Sequence, residues 1–147
     1  MSYTNLNYHV AYSTKERRPF LQADLLPQLV KYTGGVIRKL NGQMLEANGP
    51  EDHFHIMAIL PPTIAVSECI QKIKAGTSGW IHKTFPQHKD FNWQDGYAAF
   101  SVSHSAVPKV VEYIQNQQEH HKKMTFEEEL IALLKRHNIP YDEKYLR

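Results

Sequence analysis

Residues Glu51–Leu60, EDHFHIMAIL, decide how the chain folds. Side chains alternate between the two faces of a strand, so Phe54, Ile56, Ala58 and Leu60 share one face and His53 and His55 the other. Just upstream, GQMLEANGP reads as a short strand entering an Asn48-Gly49 turn, which predicts a hairpin with the histidine strand. Pro61-Pro62 ends that strand, because proline cannot donate to the ladder.

Working outward, NLNYHVAYST alternates through Leu6, Tyr8, Val10 and Tyr12 and predicts a half-buried strand. A helix is expected from about Gln22 to Leu40, with Leu25, Leu26, Leu29, Val30, Val36, Ile37 and Leu40 at three-to-four spacing. Gly34-Gly35 inside it marks a weak point or a close-packing site. A second helix is expected from Ala65 to about Lys83, through Val66, Cys69, Ile70, Ile73, Thr77, Trp80 and Ile81. YAAFSVS supplies a further strand, and Ser105 with Pro108 opens a third helix, VPKVVEYIQNQQEHHKK. Thr125 to Glu128 has the spacing of a capping box ahead of an amphipathic helix through Phe126, Leu130, Leu133 and Leu134, stopped by Asn138 and Pro140. The order β-α-β-β-α-β-α-α predicts an α+β fold over one domain, residues 1–147. It is a ferredoxin-like split βαβ, an antiparallel sheet with helices on one face, plus a C-terminal helix that carries or follows Tyr113.

The composition, 41% hydrophobic and 22% charged over 147 residues, is that of a globular protein with a real core. No apolar run approaches the roughly 18–20 residues of a membrane span. The N-terminal segment shows no signal-peptide pattern, and a cytoplasmic location is expected. Cys69 is the sole cysteine, which excludes an internal disulfide and a cysteine-rich zinc site. A net charge of +2 does not by itself mark a nucleic-acid binder. Lys15, Arg17 and Arg18 form a basic cluster, and Lys72, Lys74, Lys83, Lys122 and Lys123 recur along helices.

If the helices cover the face of Phe54 and Ile56, His53 and His55 lie on the more open side of the sheet. They are close enough there to share one cation, or they are simply a surface pair. In the third helix, Tyr113, Asn116, Gln117 and His120 fall on one side, and Val107, Val110, Val111 and Ile114 form the apolar stripe. Alone, these are a boundary tyrosine and an amide on an ordinary helix. Together with the histidines they suggest chemistry. A tyrosine hydroxyl, with a pKa of about 10, is a poor nucleophile until a divalent cation polarises the phosphodiester it attacks. Glu112 turns away from Tyr113 on the wheel and receives no catalytic role.

The His53-Phe54-His55 motif and the downstream Tyr113-Ile-Gln-Asn-Gln117 segment resemble the HUH single-tyrosine transposases of bacterial insertion sequences, in the insertion-sequence 200/605 group. NLNYHVAYSTKERRPFL and FEEELIALLKRHNIPYDEKYL extend the likeness over nearly the whole chain. The resemblance implies a DNA transposase in which Tyr113 attacks single-stranded DNA and forms a 5′-phosphotyrosine bond. It implies that His53, His55 and Gln117 bind a divalent metal, Mg2+ or Mn2+. It also implies DNA hairpins at element ends as partners and a homodimer in which the tyrosine helix of one subunit can complete the other's site. Lys15, Arg17 and Arg18 are candidate contacts to the DNA backbone. His120 and His121 are expected at the surface or behind the ligands, and Trp80 and Trp93 either stack on bases or pack in the core.

Two alternatives stay open. A host-domesticated nuclease acting on repeat hairpins would share the chemistry. A non-catalytic ferredoxin-like RNA-binding module would instead present aromatics on an exposed sheet face.

Overall fold

The computed structural model of the chain describes residues 1–146. Four strands, β1 (Asn7–Ser13), β2 (Gln43–Asn48), β3 (His53–Ile59) and β4 (Ala98–Val102), form one sheet in the order β2-β3-β1-β4. Every neighbouring pair is antiparallel, and β2 carries a register shift between Met44 and Glu46. The split βαβ order expected from the sequence is the order found.

Helix α1 (Leu26–Lys39) links β1 to β2, and α2 (Val66–Thr84) links β3 to β4. α1 starts at Leu26 and not near Gln22, because Pro27 suits the first helical turn and the preceding residues make turns. Asn41, with φ of 67°, ends it in the left-handed conformation common after a helix. Leu29, Thr33 and Ile37 of α1 and Cys69, Ile70, Ile73, Thr77 and Ile81 of α2 are buried. The apolar members of these stripes pack with Val10, Tyr12, Phe54, Ile56 and Ala58, the face of the sheet away from the histidines. The Gly34 position is a close-packing site: a β-carbon there would lie 3.1 Å from Met44 Cε. Trp93 belongs to this core, its indole donating to Thr77 Oγ1 at 3.0 Å. Trp80 is half-buried and stacks on Tyr32 at 4.5 Å.

The opposite face differs from expectation. In place of an open sheet side, α3 (Val107–Gln115), α4 (Gln117–Lys123) and α5 (Phe126–Arg136) close over it. Phe100 of β4 packs with Leu133 and Leu134 of α5, and its ring stacks on His137 at 4.3 Å. Phe126 stacks on His53 at 4.4 Å. The capping box is present: Thr125 accepts from the Glu128 amide at 3.2 Å, and Glu128 Oε1 accepts from the Thr125 amide at 2.9 Å. Burying Phe126, Leu133 and Leu134 drives this docking.

The third helix expected over 107–123 is broken at Asn116 (φ −97°, ψ 22°) into α3 and α4. The cause lies in a distant strand. Asn48, opposite His55 at the end of β2, donates its side-chain amide to the carbonyls of Ile114 (3.0 Å) and Gln115 (3.2 Å). Its amide also exchanges hydrogen bonds with the Gln118 side chain at 2.9 Å in both directions. The carbonyls freed by the break are thus satisfied from outside the helix.

Among the described residues, no helix is long and apolar enough to cross a membrane.

Candidate active site

β3 carries the first part of the site. His53 stands opposite Ser13 and His55 opposite Ala11, two small residues of β1 that leave room for the imidazoles and for whatever packs above them. The turn before β3 is tight. A β-carbon on Gly49 would lie 2.1 Å from the His53 carbonyl oxygen, so only glycine fits. Both histidines are buried beneath α3–α5, along with Gln117. The covered face also leaves no open platform on which bases could stack, the feature an RNA-binding module of this fold would need.

Tyr113, near the C-terminal end of α3, meets the histidines of its own chain, its ring 5.9 Å from that of His55. The kink at Asn116 turns Gln117 inward, and its side-chain oxygen lies 3.2 Å from His53 Nε2. The His120 ring packs tilted against Tyr113, its centre 4.5 Å away, the one-sided arrangement the wheel predicts. His121 lies 4.0 Å from Asp52 Oδ1 and close to the His53 ring. The structure therefore brings His53, His55, Tyr113 and Gln117 into one cluster.

At its centre is a residue the sequence reading did not single out. Glu129 of α5, 3% exposed, places Oε1 2.9 Å from His53 Nε2 and 3.1 Å from His55 Nε2. Its Oε2 accepts from Gln117 Nε2 at 2.9 Å and from the Tyr113 hydroxyl. His9, also missed, is buried on β1 with Nε2 2.8 Å from His55 Nδ1, one hydrogen shared between the two rings. Asp52 Oδ1 lies 2.8 Å from His53 Nδ1. Each histidine of the pair is thus held through its Nδ1, which points both Nε2 atoms at one spot.

The electrostatics follow from burial and from these contacts. Burial alone would push His53 down, but the hydrogen bonds to the Asp52 and Glu129 carboxylates outweigh it and raise the imidazole's pKa. His55 is lowered by burial, against the pull of Glu129. Burial and the neighbouring His55 take His9 down to about 3, leaving it neutral. Burial would raise Glu129, yet the His53 and His55 hydrogen bonds hold it far below the usual carboxylate range. Tyr113 is raised, by burial first and then by its bond to the Glu129 carboxylate.

This donor set fits a metal ion. His53, His55 and Glu129 offer ligand atoms within 4.8 Å of one another, and the Gln117 oxygen adjoins them. Two imidazole nitrogens with oxygen donors suit divalent first-row cations.

The basic cluster lies beside α5 and is largely engaged. Arg17 lies 3.8 Å from Glu127 and its guanidinium sits 5.6 Å from the Phe126 ring centre. Arg18 pairs with Asp90 and covers the Phe20 ring, whereas Lys15 is exposed. A cleft of about 510 Å³ is lined in part by Ser13, Tyr97, Phe100, Phe126 and Tyr145, and a second of about 400 Å³ reaches Arg17.

A split βαβ sheet with a paired-histidine strand and a helix-borne tyrosine beside it is the arrangement that the resemblance to the HUH single-tyrosine transposases implies. The family described as "Transposase IS200 like" matches residues 2–117, and the chain belongs to that family. The transposases for insertion sequence element IS200 of Salmonella typhimurium and Salmonella typhi are each 27% identical over 128 residues, covering 80% of this chain and 80% of theirs. Among solved structures, a putative transposase from Deinococcus radiodurans superposes with a TM-score of 0.66 at 19% identity, over 79% of this chain and 93% of that one. A REP-associated tyrosine transposase bound to a REP hairpin superposes with a TM-score of 0.60 at 17% identity, over 82% of this chain and 72% of that one. These two likenesses concern the fold.

Proposed function

We propose that this transposase cuts and rejoins single-stranded DNA through Tyr113, by way of a 5′-phosphotyrosine intermediate and with a divalent metal, Mg2+ or Mn2+, at the histidine pair. The observation that carries the reading is the convergence of the Tyr113 hydroxyl, both Nε2 atoms of His53 and His55 and the Gln117 side chain on one buried carboxylate.

His53, His55 and Gln117 hold the cation in this reading, with Asp52 and His9 fixing the two imidazoles from behind. When bound, the cation supplies Lewis-acid polarisation of the phosphoryl group and offsets the charge that develops there. Tyr113 Oη forms the bond to phosphorus while the bond from phosphorus to the 3′-oxygen breaks. The hydroxyl proton has an acceptor at Glu129 Oε2, to which it is already bonded. The departing 3′-oxygen takes up a proton and ends as a free hydroxyl. Attack by that hydroxyl on the phosphotyrosine reverses the same bonds and joins strands, so no nucleotide cofactor is required.

The substrate we propose is single-stranded DNA carrying hairpins at the ends of an insertion sequence, with Lys15, Arg17 and Arg18 beside the backbone; the structurally similar REP-associated transposase is bound to a REP hairpin. A homodimer is part of the proposal. Within the single chain, the Tyr113 ring lies 5.9 Å from that of its own His55.

Incubating the chain with labelled single-stranded hairpin DNA and Mn2+ or Mg2+ tests the reading. A covalent protein–DNA adduct should form, should need the metal, and should vanish with Tyr113→Phe. A folded chain that forms no adduct across varied hairpins refutes it.

A further inference from the structure

Glu129 lies beyond the segment that matches the family, which ends at residue 117, and the proton-acceptor role proposed above accounts for Oε2 but not for Oε1, which faces the two histidines. A carboxylate with 3% exposure needs compensation, since an isolated buried charge is strongly unfavourable. Among the described residues its ion pairs are to the imidazoles of His53 and His55, two groups that can just as well be neutral. Arg17 of the neighbouring basic turn is directed to Glu127, on the outer side of α5. An anion this deep, flanked by two nitrogen donors and an amide, has the surroundings of a metal ligand.

The two carboxylate oxygens divide their partners. Oε1 faces both Nε2 atoms, and Oε2 faces the Tyr113 hydroxyl and the Gln117 amide. We propose that Glu129 is the anionic ligand of the metal site, binding through Oε1 beside His53 and His55, while Oε2 keeps Tyr113 in place. The inference rests on the metal reading of the histidine pair given above.

Two consequences follow. Two imidazoles and an amide are a neutral donor set and would leave a buried dication uncompensated, whereas a carboxylate cancels half of its charge. Because the nitrogens stay in the set, Mn2+ is favoured over Mg2+, which prefers oxygen and water. Helix α5 also becomes part of the site: Phe126 covers His53 and Leu133 and Leu134 anchor the helix on Phe100, so the carboxylate is delivered by packing.

Mn2+ binding by the full chain, followed by calorimetry without DNA, tests this. Glu129→Gln, which keeps the shape and removes the charge, should weaken binding at least about tenfold, with an unchanged melting profile. Tyr113→Phe should bind within a few-fold of the natural chain. A Glu129→Gln variant that binds Mn2+ as tightly as the natural chain, or more tightly, overturns the inference and makes the carboxylate a competitor for the site. The natural chain gives a second readout that depends on no variant. Loaded with diamagnetic Zn2+ in place of Mn2+, the chain should show the Glu129 carboxyl carbon resonance shifting in step with the His53 and His55 ring nitrogens. If the ring nitrogens shift and the carboxyl carbon does not, the inference fails and the histidine site stands. If His53→Ala leaves Mn2+ binding intact, the underlying metal reading fails with it.

Discussion

Asn48 offers a test of how the site is assembled, because it acts from a strand on a helix joint it does not belong to. Its amide group donates to Ile114 and Gln115, the last carbonyls of α3, and its oxygen accepts from Gln118 in α4. Asn48→Asp keeps the shape but turns the donor into an acceptor facing two carbonyl oxygens. Each lost hydrogen bond is worth about 1 kcal/mol, and a half-buried carbonyl left unpaired costs about 1 more. Allowing for partial exposure of the joint, we expect a loss of about 2–3 kcal/mol, and about 1–2 kcal/mol for Asn48→Ala. At a urea slope of about 2 kcal/mol per molar, the Asp variant's midpoint falls by roughly 1 M. The joint separates Tyr113 from Gln117, so a relaxed joint also moves the nucleophile relative to the metal ligands. Adduct formation should slow by at least about tenfold, the equivalent of 1.4 kcal/mol in the barrier. Equilibrium unfolding in urea and single-turnover adduct kinetics measure the two effects. An Asp variant with the natural midpoint and the natural rate would show that the break at Asn116 is not held by Asn48, and the reasoning would be wrong.

Other perturbations follow from the same contacts. Gly49→Ala places a β-carbon 2.1 Å from a backbone oxygen and should destabilise by about 2–4 kcal/mol, seen as a lowered melting temperature; an unchanged melt contradicts the close approach. Thr125→Ala removes the cap of α5 and should cost about 1 kcal/mol, with faster amide exchange confined to 126–136. His9→Leu removes the partner of His55 Nδ1 and should weaken Mn2+ binding about 10- to 100-fold by calorimetry, whereas unaltered binding removes His9 from the site.

Much of this was legible in the sequence, for local reasons. The β2–β3 hairpin is written in Asn48-Gly49 and in the alternation of Phe54, Ile56 and Ala58. The α5 start is written in Thr125 and Glu128. His53, His55, Tyr113 and Gln117 stand out because their residue types carry chemistry at recognisable spacing. What escaped was tertiary. The closure of α3–α5 over the histidine face depends on Phe126, Leu133 and Leu134 finding Phe100 and His53, and an apolar stripe does not name the surface it will meet. The break at Asn116 is imposed by Asn48, more than sixty residues earlier, against a helical pattern that continues through the site. Glu129 did leave a trace. It lies three residues after Phe126 and four before Leu133, so it borders the buried stripe of an amphipathic helix, an unusual place for a carboxylate. His9 shares the alternate face of β1 with Ala11 and Ser13, but only the register with β3 brings it to His55.

The central claim is that Tyr113 is the residue joined to DNA. Mass spectrometry of the proteolysed adduct, formed on single-stranded hairpin DNA with Mn2+, tests it most directly. A 5′-phosphonucleotide is expected on the peptide containing Tyr113 and on no other tyrosine. A nucleotide on an exposed tyrosine such as Tyr97 or Tyr145, or on any residue away from the histidine pair, would contradict it.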